Sequence, residues 1–279
     1  MGNIKIITDS TCDLPVDLID KYNIVVLPLT VHFGEESYRD GVDITVSQFF
    51  EKMNTSGIFP TTSQINPQTF YECYKQYLSE GYKIISIHLS SNMSGTYQSA
   101  SIAKDMFEGK DIITVDSRNV TSGLGLLVLK ACKLRDMGFE FEEIHKSLME
   151  MIPHIKSALS FESLDNLVKG GRISKAAGLV GGLLGIRPIL EVKNGQMSVM
   201  DKVRGNKKAI KSITDYYKAK GNKKEEPCTL LHVQNKEIRE ALSGNLKEMK
   251  SDYFEAEVGC VVGTHSGIGA CGIFFVENY

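Results

Sequence analysis

At 279 residues, with 24% charged and 42% apolar residues, the chain is long for one core and ordinary in composition for a soluble protein, so two domains are expected. A formal charge of -2 gives no basis for nucleic-acid binding, which needs clustered Lys and Arg; the interrupted basic runs 202–211 and 218–224 read as solvated faces. The first ten residues lack a long apolar h-region, Cys12, Cys73, Cys132, Cys228, Cys260 and Cys271 form no C-x-x-C pair, and the histidines are scattered, which points to a cytoplasmic protein with free thiols and no metal.

In chain order, residues 4–8 form a short apolar strand that ends in the polar turn Asp9-Ser10-Thr11-Cys12-Asp13-Leu14-Pro15, with a helix expected over 18–22. Residues 24–33 are a second strand candidate, apolar enough for burial on both faces. A helix over 42–53 follows, capped by Thr45 or Ser47. Residues 59–67 then read as a loop, with Asn66 as cap and Pro67 as the first residue of an amphipathic helix reaching Ser79.

The strand 84–89 runs into Ser90-Ser91-Asn92-Met93-Ser94-Gly95-Thr96-Tyr97-Gln98-Ser99-Ala100, where Ser94 reads as a helix N-cap. Free N–H groups at such a turn suit a carboxylate or phosphate, and Ser94 is either a cap alone or also a ligand contact. The strand 112–115 and helices over 122–137 and 140–152 complete an alternation typical of a parallel sheet flanked by helices, which binds ligands at the carboxyl ends of its strands.

The second half changes character near residue 155. Strands are expected at 157–161, 188–192, 197–203, 229–233 and 259–276, with helices over 205–220 and 236–250. Asn194-Gly195 signals a hairpin, so a second α/β domain with a mixed or antiparallel sheet is expected, giving domains 1–155 and 156–279. The segment 176–184 reads as a buried helix of small residues, and the apolar run 176–186 is too short and glycine-rich for stable membrane insertion.

Gly267-Ile268-Gly269-Ala270-Cys271-Gly272 matches a dinucleotide fingerprint in letters only, because the chain ends seven residues later. Ser101 to Lys104 fits S-x-x-K without its partner motifs, and neither a Walker A lysine nor a G-x-S-x-G elbow is present. His265 is expected at a strand end among glycines and hydroxyls, as either a satisfied structural histidine or a ligand contact.

Taken together, Ile7-Thr8-Asp9-Ser10, Thr62-Ser63-Gln64, the 90–100 stretch, Gly170-Gly171-Arg172-Ile173-Ser174, Ile186-Arg187-Pro188-Ile189 and Gly263-Thr264-His265-Ser266-Gly267 resemble the DegV family, which includes the fatty-acid-binding subunits of bacterial fatty acid kinase. The resemblance spans nearly the whole chain. It implies a non-catalytic two-domain α/β carrier with no cofactor, a long-chain fatty acid such as palmitate or oleate in a tunnel between the domains, and a separate ATP-dependent kinase subunit that makes the acyl phosphate. It places carboxylate binding on Thr62, Ser94 and His265 and contact with the kinase partner on Arg172 and Arg204. Two departures stand out: Gly267-Ile268-Gly269 replaces the family's frequent Gly-Pro-Gly, and proline after Thr-Ser-Gln is delayed to Pro67. The alternative is a small-molecule phosphotransferase or hydrolase with Ser94 as nucleophile and His265 as base, although no carboxylate stands at motif spacing to orient the histidine.

Overall fold

A computed structural model describes residues 3–109, 111–174 and 185–279. Strand β1 (Ile4–Asp9) is buried at every position, as its continuous apolar run requires in a parallel sheet covered on both faces. A short 3-10 turn and α1 (Val16–Lys21) return the chain to β2 (Val25–Leu27), parallel to β1. The expected strand over 24–33 is in fact two strands in two sheets. Pro28 has no N–H to give a ladder, and beyond it β3 (Thr30–Phe33) pairs antiparallel with β4 (Glu36–Arg39) and β5 (Thr61–Ser63). The stretch expected as loop thus contains β5, whose three hydroxyl residues take strand form from their partner rather than from their own propensity.

Between β4 and β5 lies α2 (Val46–Thr55), where Thr45 and Gln48 form a capping box. Helix α3 (Pro67–Ser79) starts as expected, the Asn66 side-chain Oδ1 accepting the Thr69 N–H at 2.9 Å. Strand β6 (Lys83–His88), α4 (Thr96–Lys104), β7 (Ile112–Asp116), α5 (Ser122–Asp136) and α6 (Phe141–Met151) complete the first half. Its parallel sheet has the order β2-β1-β6-β7.

The second half comprises β8 (Ile155–Ser160), α7 (Asp165–Lys169), β9 (Ile186–Lys193), β10 (Gln196–Arg204), α8 (Asn206–Lys220), β11 (Cys228–His232), α9 (Lys236–Glu248), β12 (Tyr253–Glu257), α10 (Cys260–Ser266) and β13 (Cys271–Val276). The sheet runs β10-β9-β8-β13-β11-β12 and is mixed, because only β11 and β12 pair in parallel. Asn194 and Gly195, both at positive φ, turn the β9–β10 hairpin as expected. Residues 259–276 are not one strand. Their first part is α10, and an apolar run this short does not reveal its period. The expected small-residue helix over 176–184 lies outside the described residues.

Helix α5 is buried from Ser122 through Leu129 because it lies between the two sheets, touching β1 and β6 on one side and β8, β11 and β13 on the other. Close approach sets its composition: a Cβ on Gly125 would stand 2.8 Å from the Cys12 carbonyl oxygen. One core therefore joins Ile6, Phe50, Leu127, Leu159 and Phe274, and a smaller one packs α8 and α9 on the outer face of the mixed sheet.

Candidate functional site

The turns after β1, β2, β6 and β7 gather at one edge of the parallel sheet, and a buried network fixes two of them. Asp9 Oδ1 accepts from the Thr11 N–H (3.1 Å) and hydroxyl (2.5 Å), while Oδ2 accepts from the Leu89 N–H (3.1 Å) and faces His88 Nδ1 (2.9 Å). Tyr74 donates to Ser86, whose hydroxyl proton is then left for His88 Nε2, so Nδ1–H donates to Asp9. An Asp–His–Ser relay is thereby present, but all three residues are fully buried and none lines the cavity described next. It is a brace for Thr11 and Leu89, which do line that cavity.

The cavity, about 320 Å³, lies between the two sheets. Leu29, Leu89 and Val120 wall it from the first half, and Leu159, Phe161 and Leu167 from the second. Thr62, Gln64, Ser94, Arg172 and His265 are among its polar groups. Thr62 sits on β5 and His265 in the last turn of α10, rather than at a strand end; Thr62 Oγ1 and His265 Nε2 are 3.1 Å apart, joining residues 203 positions apart in the chain. Burial, with help from the Arg172 guanidinium, pushes the His265 pKa down to about 4, so the ring is neutral at physiological pH and offers one N–H and one lone pair. Its Nδ1 is buried without a partner.

Ser94 lines the same cavity but is not the N-cap of α4; that position belongs to Gly95. Ser94 Oγ accepts the Thr96 N–H at 3.3 Å and lies 3.0 Å from the Thr96 hydroxyl, so it still serves the first turn from one residue further out. Gly95 is required, since a Cβ there would collide with the Gln64 amide, which donates to Ser99 Oγ at 3.0 Å and ties β5 to α4. The two arginines part company. Arg172 lines the cavity, with Nε and Nη2 donating to the Met93 carbonyl (3.2 and 3.1 Å) and Nη1 to the Gly170 carbonyl (2.5 Å), whereas Arg204 is exposed at the end of β10, outside the cavity wall. Sequence reasoning missed Gln64 and the cavity position of Arg172. For Gln64 the signal was its place two residues after Thr62, on the same side of an extended segment.

Among the described residues, no three His, Cys, Asp or Glu side chains gather as a metal site, the six cysteines are free, and no helix is long and apolar enough to cross a membrane. Fold and site together define an α/β protein of two large sheets and one small one, with a mostly apolar cavity between the large sheets and a cluster of hydrogen-bonding groups, neutral but for Arg172, in its wall. The chain belongs to the DegV family: the family model described as "Uncharacterised protein, DegV family COG1307" matches residues 3–278. It is similar to a DegV domain-containing protein of Clostridium acetobutylicum, at 57% identity over 100% of both chains. Two solved structures, each covering 100% of both chains, share the fold. One is described as fatty acid binding of a DegV family protein from Thermus thermophilus (32% identity, TM-score 0.92), the other as DegV, a fatty acid binding protein from Bacillus subtilis (33%, 0.86).

Proposed function

We propose that this protein binds a long-chain fatty acid, such as palmitate or oleate, in the cavity between its two domains, 1–155 and 156–279. The carboxylate is held by Thr62, Ser94 and His265 and presented to an ATP-dependent kinase subunit, which makes the acyl phosphate for phospholipid metabolism in the cytoplasm. The protein itself is a carrier, and Arg172 and Arg204 are the contacts for the kinase. The observation that carries the reading is the convergence of two hydroxyls and a neutral imidazole, from three distant segments, on one mostly apolar cavity. Relatives described as fatty-acid-binding support it.

The energetics agree. Burying about fifteen methylenes at about 0.8 kcal/mol each gives about 12 kcal/mol gross, which offsets the cost of association. The head group loses hydration on entry, and each hydrogen bond to a charged group returns about 1.5–3 kcal/mol. Denaturing extraction of the purified protein followed by mass spectrometry is expected to release a long-chain acid. Protein that carries none and also refuses added palmitate and oleate would end the reading. In the enzymatic alternative Ser94 would need His265 as base, yet Ser94 is engaged with Thr96 and His265 with Thr62. Turnover of a small substrate, abolished in Ser94→Ala with lipid binding intact, would restore that alternative.

A pH dependence follows. A carboxylate arriving beside His265 raises the imidazole pKa from about 4 toward its ordinary value near 6.5, so binding takes up protons between those limits. Affinity is expected to rise several-fold from pH 7 to about 5.5, where the acid is still mostly ionised. Calorimetry in two buffers of different ionisation enthalpy measures the uptake directly. An uptake of zero at pH 5.5, or one that persists in His265→Ala, contradicts the assignment.

A further inference from the structure

His265 reaches Thr62 only if α10, an element of the second half, is set correctly into the first half. Its middle is packed tightly: a Cβ on Gly263 would stand 2.9 Å from Phe50 Cζ and 3.3 Å from Phe49 Cε1. Its N-terminus is held by two carboxylates that belong to the first half. Asp13 Oδ1 accepts the Gly259 N–H at 3.0 Å, and Asp40 Oδ1 accepts the Cys260 N–H at 2.8 Å. Asp13 stands in the left-handed region (φ 47°), in the turn after β1, and Asp40 closes the β3–β4 hairpin through its N–H to the Leu29 carbonyl. A Cβ on Gly259 would come within 2.9 Å of Asp13 Oδ1 and 3.3 Å of both Asp40 oxygens, so both carboxylates lie against that glycine.

We propose that Asp13 and Asp40 share one proton and act as a pair of positioning residues, seating α10 so that His265 is delivered to the head-group end of the cavity. Each carboxylate uses Oδ1 on a backbone N–H of α10, and each leaves Oδ2 buried with no partner. Two buried carboxylates against one glycine, each with an oxygen that receives no N–H, lack a donor, and a retained proton supplies one. The surroundings favour retention of that proton. Asp13 and Asp40 are 8% and 5% exposed, and the groups that face them are acidic or neutral: Asp9, whose oxygens are filled by Thr11, His88 and Leu89; the thiols of Cys12 and Cys260; the Ser10 hydroxyl; and the backbone N–H groups of α10. Burial, and for Asp13 also the neighbouring Asp40, pushes both carboxyl groups above the ordinary range. Two carboxylates in one dry site do not both ionise.

The sign of the effect is fixed. A carboxyl whose folded pKa is raised holds a proton that the unfolded chain, with pKa near 3.9, releases. Stability therefore falls as pH rises from about 4 through the raised value, the folded-to-unfolded ratio dropping up to tenfold per pH unit for one proton. Asn at either position keeps the Oδ1 acceptor and replaces the shared proton by a fixed N–H, whereas Ala removes the acceptor.

The experiment compares Asp13→Asn and Asp13→Ala with the parent protein in urea melts from pH 4 to pH 8, in the His265 imidazole NMR titration without ligand, and in palmitate binding. Asp13→Asn is expected to lose the proton-linked slope relative to the parent, to keep the His265 signals, and to bind palmitate within threefold. Asp13→Ala is expected to shift the His265 resonances and to weaken palmitate at least tenfold. A slope unchanged in Asp13→Asn, or His265 signals in folded Asp13→Ala that match the parent, overturns the proposal. Should Asp13→Ala not fold, the Asp13→Asn slope decides alone. The palmitate arm rests on the fatty-acid reading above; a parent protein that takes no palmitate refutes that reading, while the ligand-free titration still tests the seating of α10.

Discussion

Asp9→Ala is expected to lower the stability of the protein by about 3–5 kcal/mol. Four hydrogen bonds converge on this carboxylate, two on each oxygen, all in the fully buried interior. Removal leaves the Leu89 and Thr11 N–H groups and His88 Nδ1 without acceptors, at about 1–3 kcal/mol for each buried group that finds no substitute. For a chain of this size the fall in melting temperature is on the order of 10 °C. Asp9→Asn is expected to cost nearly as much, because an amide accepts on one side only and turns its NH2 toward donors on the other. Urea denaturation followed by circular dichroism measures both variants, and a loss below about 1 kcal/mol for Asp9→Ala would show that the network is not a brace. The consequence reaches the cavity, since the same carboxylate holds the turns that carry Thr11 and Leu89 into its wall.

What the sequence revealed about the fold divides along the range of the forces. Asn66-Pro67 announced the start of α3, Asn194-Gly195 the β9–β10 hairpin, and the apolar run 4–8 a short strand, because each signal and its effect lie within a few residues. Strands β4 and β5 were not legible: they are short, and their partner in β3 provides what their own composition does not. Helix α10 was read as strand because a seven-residue apolar segment shows no period, and its termini are fixed by Asp13, Asp40 and Thr62 from far away. The site followed the same rule. The turn around Ser94 could be read from its own hydroxyls and glycine, but the meeting of Thr62 with His265 came only from likeness to a family, since nothing local brings together residues 203 apart.

Gly170→Ala is expected to weaken fatty-acid binding at least tenfold, about 1.4 kcal/mol, while changing global stability by less than about 1 kcal/mol. Gly170 follows α7 with φ of -77°, a conformation alanine adopts freely, so backbone strain plays no part. The obstacle is lateral: the new methyl would collide with His265 Nδ1 and approach Cε1 to 2.8 Å. The imidazole is held by Thr62 on its other nitrogen and must turn away, which breaks that contact and, on the reading proposed above, moves a donor from the head group. The peptide that shifts also carries the carbonyl taken by Arg172, so the guanidinium over the cavity is disturbed with it. A double-mutant cycle separates this from general damage to the loop: in a His265→Ala background the methyl meets no ring, and Gly170→Ala should then cost nothing further. Equal losses in the two backgrounds, or palmitate binding unchanged in Gly170→Ala alone, would place the head group away from His265. Sub-additivity with intact folding would tie the missing side chain at position 170 to the orientation of one imidazole.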